Sequence, residues 1–313
     1  MIDKSIVIPV YMNEMNIGDL LDALEVLIRD MTGTCEVVFV VDGSGDRSWE
    51  LLDKGLSERS FSSQLVSHSR NFGSFAAIRT GLHHARGNKI AVMAADLQEP
   101  PELLLEFFRI LDLQEADIVL GSRTGRSDGL MSGAMSSIFW MLFRKLVVQD
   151  MPKGGIDIFA CNTMVRDSLL QMEESNSSLI AQIFWVGYRR AFVTYERKKR
   201  LKGRSAWTLM RKVRYLFDSI ISFTDLPLQI LLWSGFLGII LTFALGTLIL
   251  ASRMLNLITV PGYSGIMLTI LFFSSIFLLT NGLVGLYLWR IFENTKKRPL
   301  SIVTDKRLFS GDQ

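Results

Sequence analysis

Leu226–Ser252 runs for 27 residues without a charged side chain, and Met254–Trp289 for 36. A hydrocarbon core of roughly 30 Å needs about 20 helical residues, so either stretch is long enough to cross it. Pro261-Gly262 breaks the second run, which leaves about 228–252 and 266–289 as spanning parts. Core helices of soluble proteins rarely run this long without charge, so residues 226–289 are expected to form a two-helix transmembrane hairpin. Hydrophobic residues make up 49% of the 313, and their excess collects beyond residue 225. Residues 1–196 therefore stand apart as a soluble-looking domain.

The flanks set an orientation. Nine Lys or Arg and no acid lie between Arg197 and Arg214, and Arg290, Lys296, Lys297 and Arg298 follow the second span. The connecting loop holds only Arg253. Positive residues stay in the cytoplasm, so the domain, both termini and the tail 290–313 are expected there. Two independent signs agree. Cys35 and Cys161 form no CxxC or metal spacing and suit a reducing compartment, and MIDKSIVIPV has too short an apolar run for a signal peptide. A net charge of +3 gives no reason to expect nucleic acid. In the basic juxtamembrane segment 197–225, Leu209, Met210, Val213, Leu216, Phe217, Ile220 and Ile221 share one helical side. That pattern predicts a helix lying in the headgroup layer, with packing against the soluble domain as its alternative. Ser136–Val148 is a second candidate of this kind.

Within the soluble domain, apolar runs alternate with helical periodicity. Strands are predicted at Ser5–Val10, Glu36–Val41, Gln64–Ser67, Ile90–Ala95 and Asp117–Gly121, with helices at 16–29, 49–56, 73–85 and 102–111. Solid apolar strands alternating with helices imply an α/β fold with a mostly parallel sheet covered on both faces. Ligands bind beyond the carboxyl ends of such strands. Asp42, Asp96 and Arg123 all fall there, which predicts a binding cleft along one edge. The adjacent His83 and His84 are expected as solvated helix residues.

Four motifs occur in order: Ile8-Pro9-Val10-Tyr11-Met12-Asn13-Glu14, Val41-Asp42-Gly43-Ser44-Gly45-Asp46, Arg70-Asn71-Phe72-Gly73, and Ala95-Asp96-Leu97-Gln98-Glu99-Pro100-Pro101-Glu102. Gly121-Ser122-Arg123 and the run Arg197–Trp207 follow. Together with the hairpin they resemble the inverting glycosyltransferases of family 2, nearest to bactoprenol-phosphate glucosyltransferases and dolichol-phosphate mannose synthases, over residues 4–298. The resemblance implies a GT-A-type fold and a nucleotide-sugar donor such as UDP-glucose. It also implies a polyprenyl phosphate acceptor (undecaprenyl phosphate in a bacterium), a homotetramer and a place in the inner membrane. The product would be a lipid-linked sugar for modifying cell-surface glycan such as lipopolysaccharide.

Residue by residue, the same resemblance makes Asp96 and Gln98 the ligands of Mg²⁺ or Mn²⁺. Oxygen donors suit such hard ions, which neutralise a departing diphosphate. Ala94 stands where the family has another Asp, which implies a changed metal affinity or donor choice. Pro9, Tyr11, Glu14 and Asp42 would hold base and ribose, while Arg70, Asn71 and Gly73 would close over the donor. Arg123, Arg126, Arg200 and Ser205 would bind the acceptor phosphate. Asp157, in a Gly-Asp-Phe-like stretch, would contact the sugar or act as a weak base, although the residues alone are equally compatible with a loop carboxylate. Two rivals remain at this point. A processive polysaccharide synthase would carry a Gln-x-x-Arg-Trp signature, which Gln182-Ile183-Phe184-Trp185 does not supply. A catalytically silent membrane scaffold is favoured only by Ala94.

Overall fold

The computed structural model describes residues 2–123, most of 141–198, 209–224, scattered positions between 226 and 255, and 262–311. These fall into two compact units, Met1–Ser219 with Pro299–Gln313, and Ile220–Arg298.

The first unit is built on eight strands in the spatial order β7-β5-β6-β4-β1-β2-β3-β8. They are β1 Lys4–Val10, β2 Cys35–Val41, β3 Ser62–His68, β4 Lys89–Val92, β5 Ile118–Arg123, β6 Ile156–Asn162, β7 Arg190–Tyr195 and β8 Val303–Phe309. Strand β1 pairs in parallel with β2 and β4, β2 with β3, and β5 with β7. Strand β6 runs antiparallel between β4 and β5, and β8 antiparallel to β3. Among the fully described elements the helices are α1 Ile17–Asp30, α2 Ser48–Leu56, α3 Ser74–His84, α4 Leu103–Asp112, α5 Thr163–Gln171, α6 Leu179–Trp185 and α7 Leu209–Phe223, with α8 Tyr263–Thr295 in the second unit. The predicted mostly parallel sheet flanked by helices is the observed α/β architecture.

Local sequence accounts for these elements. All seven residues of β2, CEVVFVV, are buried, as an unbroken apolar run in a doubly covered sheet requires. The stripe Ile17, Leu20, Leu21, Leu24 and Leu27 is the buried face of α1. Pro9 sits inside β1, where a proline would normally break a ladder. Its side of the strand faces β4, however, and β4 stops opposite Val7. Met93 N–H adds one last bond to the Val7 carbonyl at 3.1 Å. Strand β4 is thus shorter than the predicted 90–95, and Ala94 and Ala95 already belong to the loop that carries Asp96.

Strand β8 was not predicted; the sequence reading leaves 290–313 as a tail. Its run VTDKRLF has no alternation to signal a strand, and six of its seven residues are exposed. Its place comes from pairing with β3, and its charged side chains blunt the sheet edge against further strand addition. Both cysteines are buried and free, and burial pushes each thiol up to about 12.

In the second unit, α8 starts directly after Gly262, where the Pro261-Gly262 break predicts a start. Its segment Phe272–Thr295 is long and apolar enough to cross a membrane, and none of it is buried. Among the described residues it is the one such helix. Most of the other predicted span, 228–252, lies outside the described residues, so the hairpin is not shown.

His84 gives the fold a testable acid limb. Burial, then Lys306, His83 and His68, lower its pKa to about 4, with Lys306 Nζ 3.2 Å from Nδ1. An unfolded imidazole takes its proton near 6.5. Stability from this group is therefore full above 6.5 and lost as pH falls towards 4. Thermal melts of the detergent-solubilised His84→Gln variant should show a flatter fall in Tm between pH 6.5 and 4. A slope equal to that of the wild type would contradict this.

Candidate active site

The carboxyl ends of β1, β2, β3, β4, β5 and β7 share one edge. Because β6 is reversed, its first residues lie there too, with Ile156 opposite Ser122. This reversal brings Asp157 to the edge and corrects the loop alternative, since Asp157 is the second residue of a strand.

The donor side consists of three loops tied together. After β1, Met12 N–H donates to Ser44 Oγ at 2.8 Å, and Glu14 N–H to Asp46 Oδ2 at 3.0 Å. Glu14 in turn accepts from Arg47 N–H at 3.2 Å. Tyr11 is 39% exposed, so its ring is accessible for stacking. Asp42 is buried. Its Oδ1 accepts from Phe72 N–H at 2.9 Å and lies 2.8 Å from His68 Nδ1, while Oδ2 accepts from Gly73 N–H at 2.7 Å. Asp42 thus holds the turn Arg70–Gly73 in place. Gly43 makes the close approach possible: its φ is +55°, and a Cβ there would sit 2.1 Å from the Arg70 carbonyl carbon. Arg70 and Asn71 are exposed, and the Arg70 guanidinium lies 4.1 Å from the centre of the Phe72 ring.

In the middle, Leu97 adopts a left-handed φ of 52° and packs against the core. Non-glycine residues occupy this region at a cost of about 1 kcal/mol, typically where function demands it. The turn lets Gln98 N–H donate to Asp96 Oδ1 at 3.3 Å. Arg197 donates to Gln98 Oε1 at 2.5 Å, and Lys198 N–H to the Gln98 carbonyl at 2.8 Å. The basic run therefore begins bound to the predicted metal loop.

Arg123 ends β5 and forms a two-pronged pair with Asp157 on β6. Tyr195, at the end of β7, donates to Asp157 Oδ2 at 3.2 Å. Burial opposes the charge on Arg123, but Asp157 outweighs it and raises the guanidinium pKa. Glu99 is 1% exposed, and among the described residues neither carboxylate oxygen has a hydrogen-bond partner on another residue. Burial first, then Asp157 and Asp96, push Glu99 up to about 7, against the pull of Arg197, whose Nε is 3.5 Å away. Burial first, then Asp157 and Glu99, raise the Tyr195 hydroxyl far above its ordinary range, so it stays a donor.

The structure thus gathers Asp96, Gln98, Arg123 and Asp157 at one end of the edge, and Pro9, Tyr11, Glu14, Asp42 and Arg70–Gly73 at the other. Arg126, Arg200 and Ser205 lie outside the described residues. Sequence reasoning missed Glu99, Tyr195, Arg197 and His68 as contributors. Glu99 stood inside the quoted motif; Tyr195 and His68 sit at strand ends, the one signal that could have found them.

Hard oxygen donors at Asp96 and Gln98 fit a divalent cation, and the guanidinium on Gln98 Oε1 shows that this position accepts positive charge. No group of three or more acidic, His or Cys side chains able to hold a metal exists among the described residues. A cation here would complete its shell with phosphate oxygens, as Mg²⁺ commonly does.

Residues 5–172 match glycosyl transferase family 2, and the chain belongs to that family. It is 31% identical to a protein of Synechocystis named as an uncharacterized glycosyltransferase, over 97% of this chain and 95% of that one. It is 28% identical to undecaprenyl-phosphate 4-deoxy-4-formamido-L-arabinose transferase of Yersinia pestis, over 94% and 90% of the two chains. Among solved structures, glucosyl-3-phosphoglycerate synthase from Mycobacterium tuberculosis aligns with a TM-score of 0.49 at 16% identity, over 71% and 80%. The protein is a glycosyltransferase.

Asp157→Asn should cost roughly 3 kcal/mol, because it strands a largely buried guanidinium. Combining it with Arg123→Gln should recover part of that loss in denaturant titrations. Additive losses would show that the pair is not coupled.

Proposed function

We propose that this glycosyltransferase moves a hexose from a nucleotide sugar to a polyprenyl phosphate, undecaprenyl phosphate in a bacterium, with inversion and with help from Mg²⁺ or Mn²⁺. The name of the Yersinia relative points to the same acceptor. One observation carries the reading: Arg197 and Lys198, which open the basic run, are hydrogen-bonded to Gln98, in the loop expected to meet the donor diphosphate. Acceptor-binding and donor-binding segments thereby meet at one point.

Asp96 and Gln98 would hold the cation, which neutralises the diphosphate as it leaves. Tyr11 and Glu14 would receive the base and ribose, on the framework that Asp42 and Pro9 support, with Arg70, Asn71 and Gly73 over the phosphates. A phosphate monoester has a second pKa near 6, so the acceptor arrives ionised and needs no strong base. Its oxygen forms a bond to the anomeric carbon while the bond from that carbon to the diphosphate breaks. Arg123, Arg126, Arg200 and Ser205 would desolvate and aim the phosphate. The Arg123–Asp157 pair places a cation and a hydroxyl acceptor together at the sugar end. Attack opposite an α-linked nucleotide gives a β-linked glycosyl phospholipid.

We place the reaction at the cytoplasmic face of the inner membrane. The long apolar α8 and the basic flanks support that location, with 228–252 as the other span of a hairpin. Helix α7 supports it as well. Its Tyr215 stacks on Phe143 at 5.7 Å, so one side packs on the domain. Phe217 lies about 200° around the helix from it and is 60% exposed. Domain packing and an outward apolar side thus coexist on one helix.

Membranes containing the chain, given radiolabelled nucleotide sugars and polyprenyl phosphate, should place label in the organic phase. Asp96→Ala should lower that transfer at least 100-fold while membrane insertion is retained; turnover within tenfold of wild type would remove Asp96 from the site. Arg200→Ala should raise KM for the lipid about tenfold with little change for the nucleotide, and equal effects on both would refute this division of labour.

A further inference from the structure

His68 and Ser301 have no part in the mechanism above, yet they belong to one buried chain of hydrogen bonds. His68, 3% exposed, has Nδ1 2.8 Å from Asp42 Oδ1 and Nε2 2.8 Å from Thr80 Oγ1. Thr80 Oγ1 is in turn 2.8 Å from Ser301 Oγ. The Asp42 carboxylate accepts from Nδ1, and Nε2 carries the chain on to the Thr80 and Ser301 hydroxyls, either of which can donate to the other. Ser69 N–H also donates to the Ile302 carbonyl at 3.0 Å, so two bonds attach residues 301–302 behind the donor loops. At the other end, Asp42 holds the N–H groups of Phe72 and Gly73. The His68 ring also meets the Phe72 ring edge-on at 5.6 Å between centroids.

We propose that His68, Thr80 and Ser301 are positioning residues for the donor site: they fix Asp42, which fixes the turn Arg70–Gly73 over the nucleotide. The segment that follows α8 in the sequence is then a working part of nucleotide binding. This inference rests on the reading of the edge as a nucleotide-sugar site. The alternative is a satisfied polar chain whose only contribution is to stability.

The test uses the full chain in detergent with four variants, Thr80→Val, Ser301→Ala and the conservative Thr80→Ser and Ser301→Thr. Amide hydrogen exchange is followed without ligand, and UDP and GDP binding by calorimetry with Mn²⁺. Thr80→Val and Ser301→Ala should speed exchange at Phe72 and Gly73 about fivefold, the equivalent of one hydrogen bond, while Leu65 and Val66 of β3 stay protected. They should weaken the nucleotide that the wild type binds by about fivefold, and the conservative variants should restore both properties. Unchanged exchange at Phe72 and Gly73 would overturn the proposal, as would nucleotide affinity within twofold of wild type. Loss of β3 protection in step with the turn would overturn it in favour of a purely stabilising role. A wild-type chain that binds neither nucleotide would refute the transfer reading instead, and the exchange measurement would still decide whether the chain of bonds holds the turn.

Discussion

At the end of the sheet Asp157 and Asp96 both act on the buried Glu99, and such a group of carboxylates persists only with cations beside it. Arg123 meets this need by a two-pronged bond to Asp157, and Arg197 by reaching both Gln98 and Glu99. Glu99 keeps a raised carboxyl: burial first, and then its two carboxylate neighbours, hold it up to about 7 although a guanidinium lies next to it. The reversal of β6 makes the cluster possible, because a parallel strand in that position would carry Asp157 to the opposite edge. Topology therefore sets the electrostatics, and the electrostatics suit a site that handles anionic phosphates together with a cation.

The donor half follows a different logic. Asp42 gives its oxygens to Phe72, Gly73 and His68, which spends the carboxylate on holding backbone. The loops after β1 and β2 are joined in the same way, through Ser44, Ser48 and Asp46. Burial of Asp46 works against its charge, yet hydrogen bonds from Ser44, Ser48 and Glu14 keep its pKa below the usual carboxylate value. Preorganised loops of this kind lower the entropic cost of ordering around a ligand. The surfaces left open, Tyr11 and the Arg70–Asn71 tip, are those suited to stacking and to phosphate contact.

Much of this was legible in the sequence because one-dimensional signals controlled it. The apolar runs of β1 and β2 and the stripe of α1 are local patterns, and the charged ends of β2, β4 and β5 mark the ligand edge. Pro261-Gly262 likewise marked where α8 begins. What escaped depends on distant partners. Strand β8 has no alternation and exists because β3 offers an edge to it. Arg197 reads as one cation in a run of nine, and only folding shows that it answers Gln98 and Glu99. His68 lacks any spacing to a ligand, since its partners are 26 and 12 residues away. Asp157 could be read from its residues either as a site carboxylate or as a loop carboxylate, and its place as the second residue of β6 depends on the pairing with β4 and β5.

In the proposed reaction Asp96 and Gln98 receive a divalent cation together with a nucleotide diphosphate at this edge. Crystals of the full chain grown with Mn²⁺ and a nucleoside diphosphate would test it through anomalous scattering from manganese. The account requires a peak in coordination range of the Asp96 carboxylate and the Gln98 amide oxygen, with Arg197 moved off that oxygen. Manganese bound elsewhere, or nucleotide seated at the edge with Arg197 still on Gln98 and no metal beside it, would contradict it.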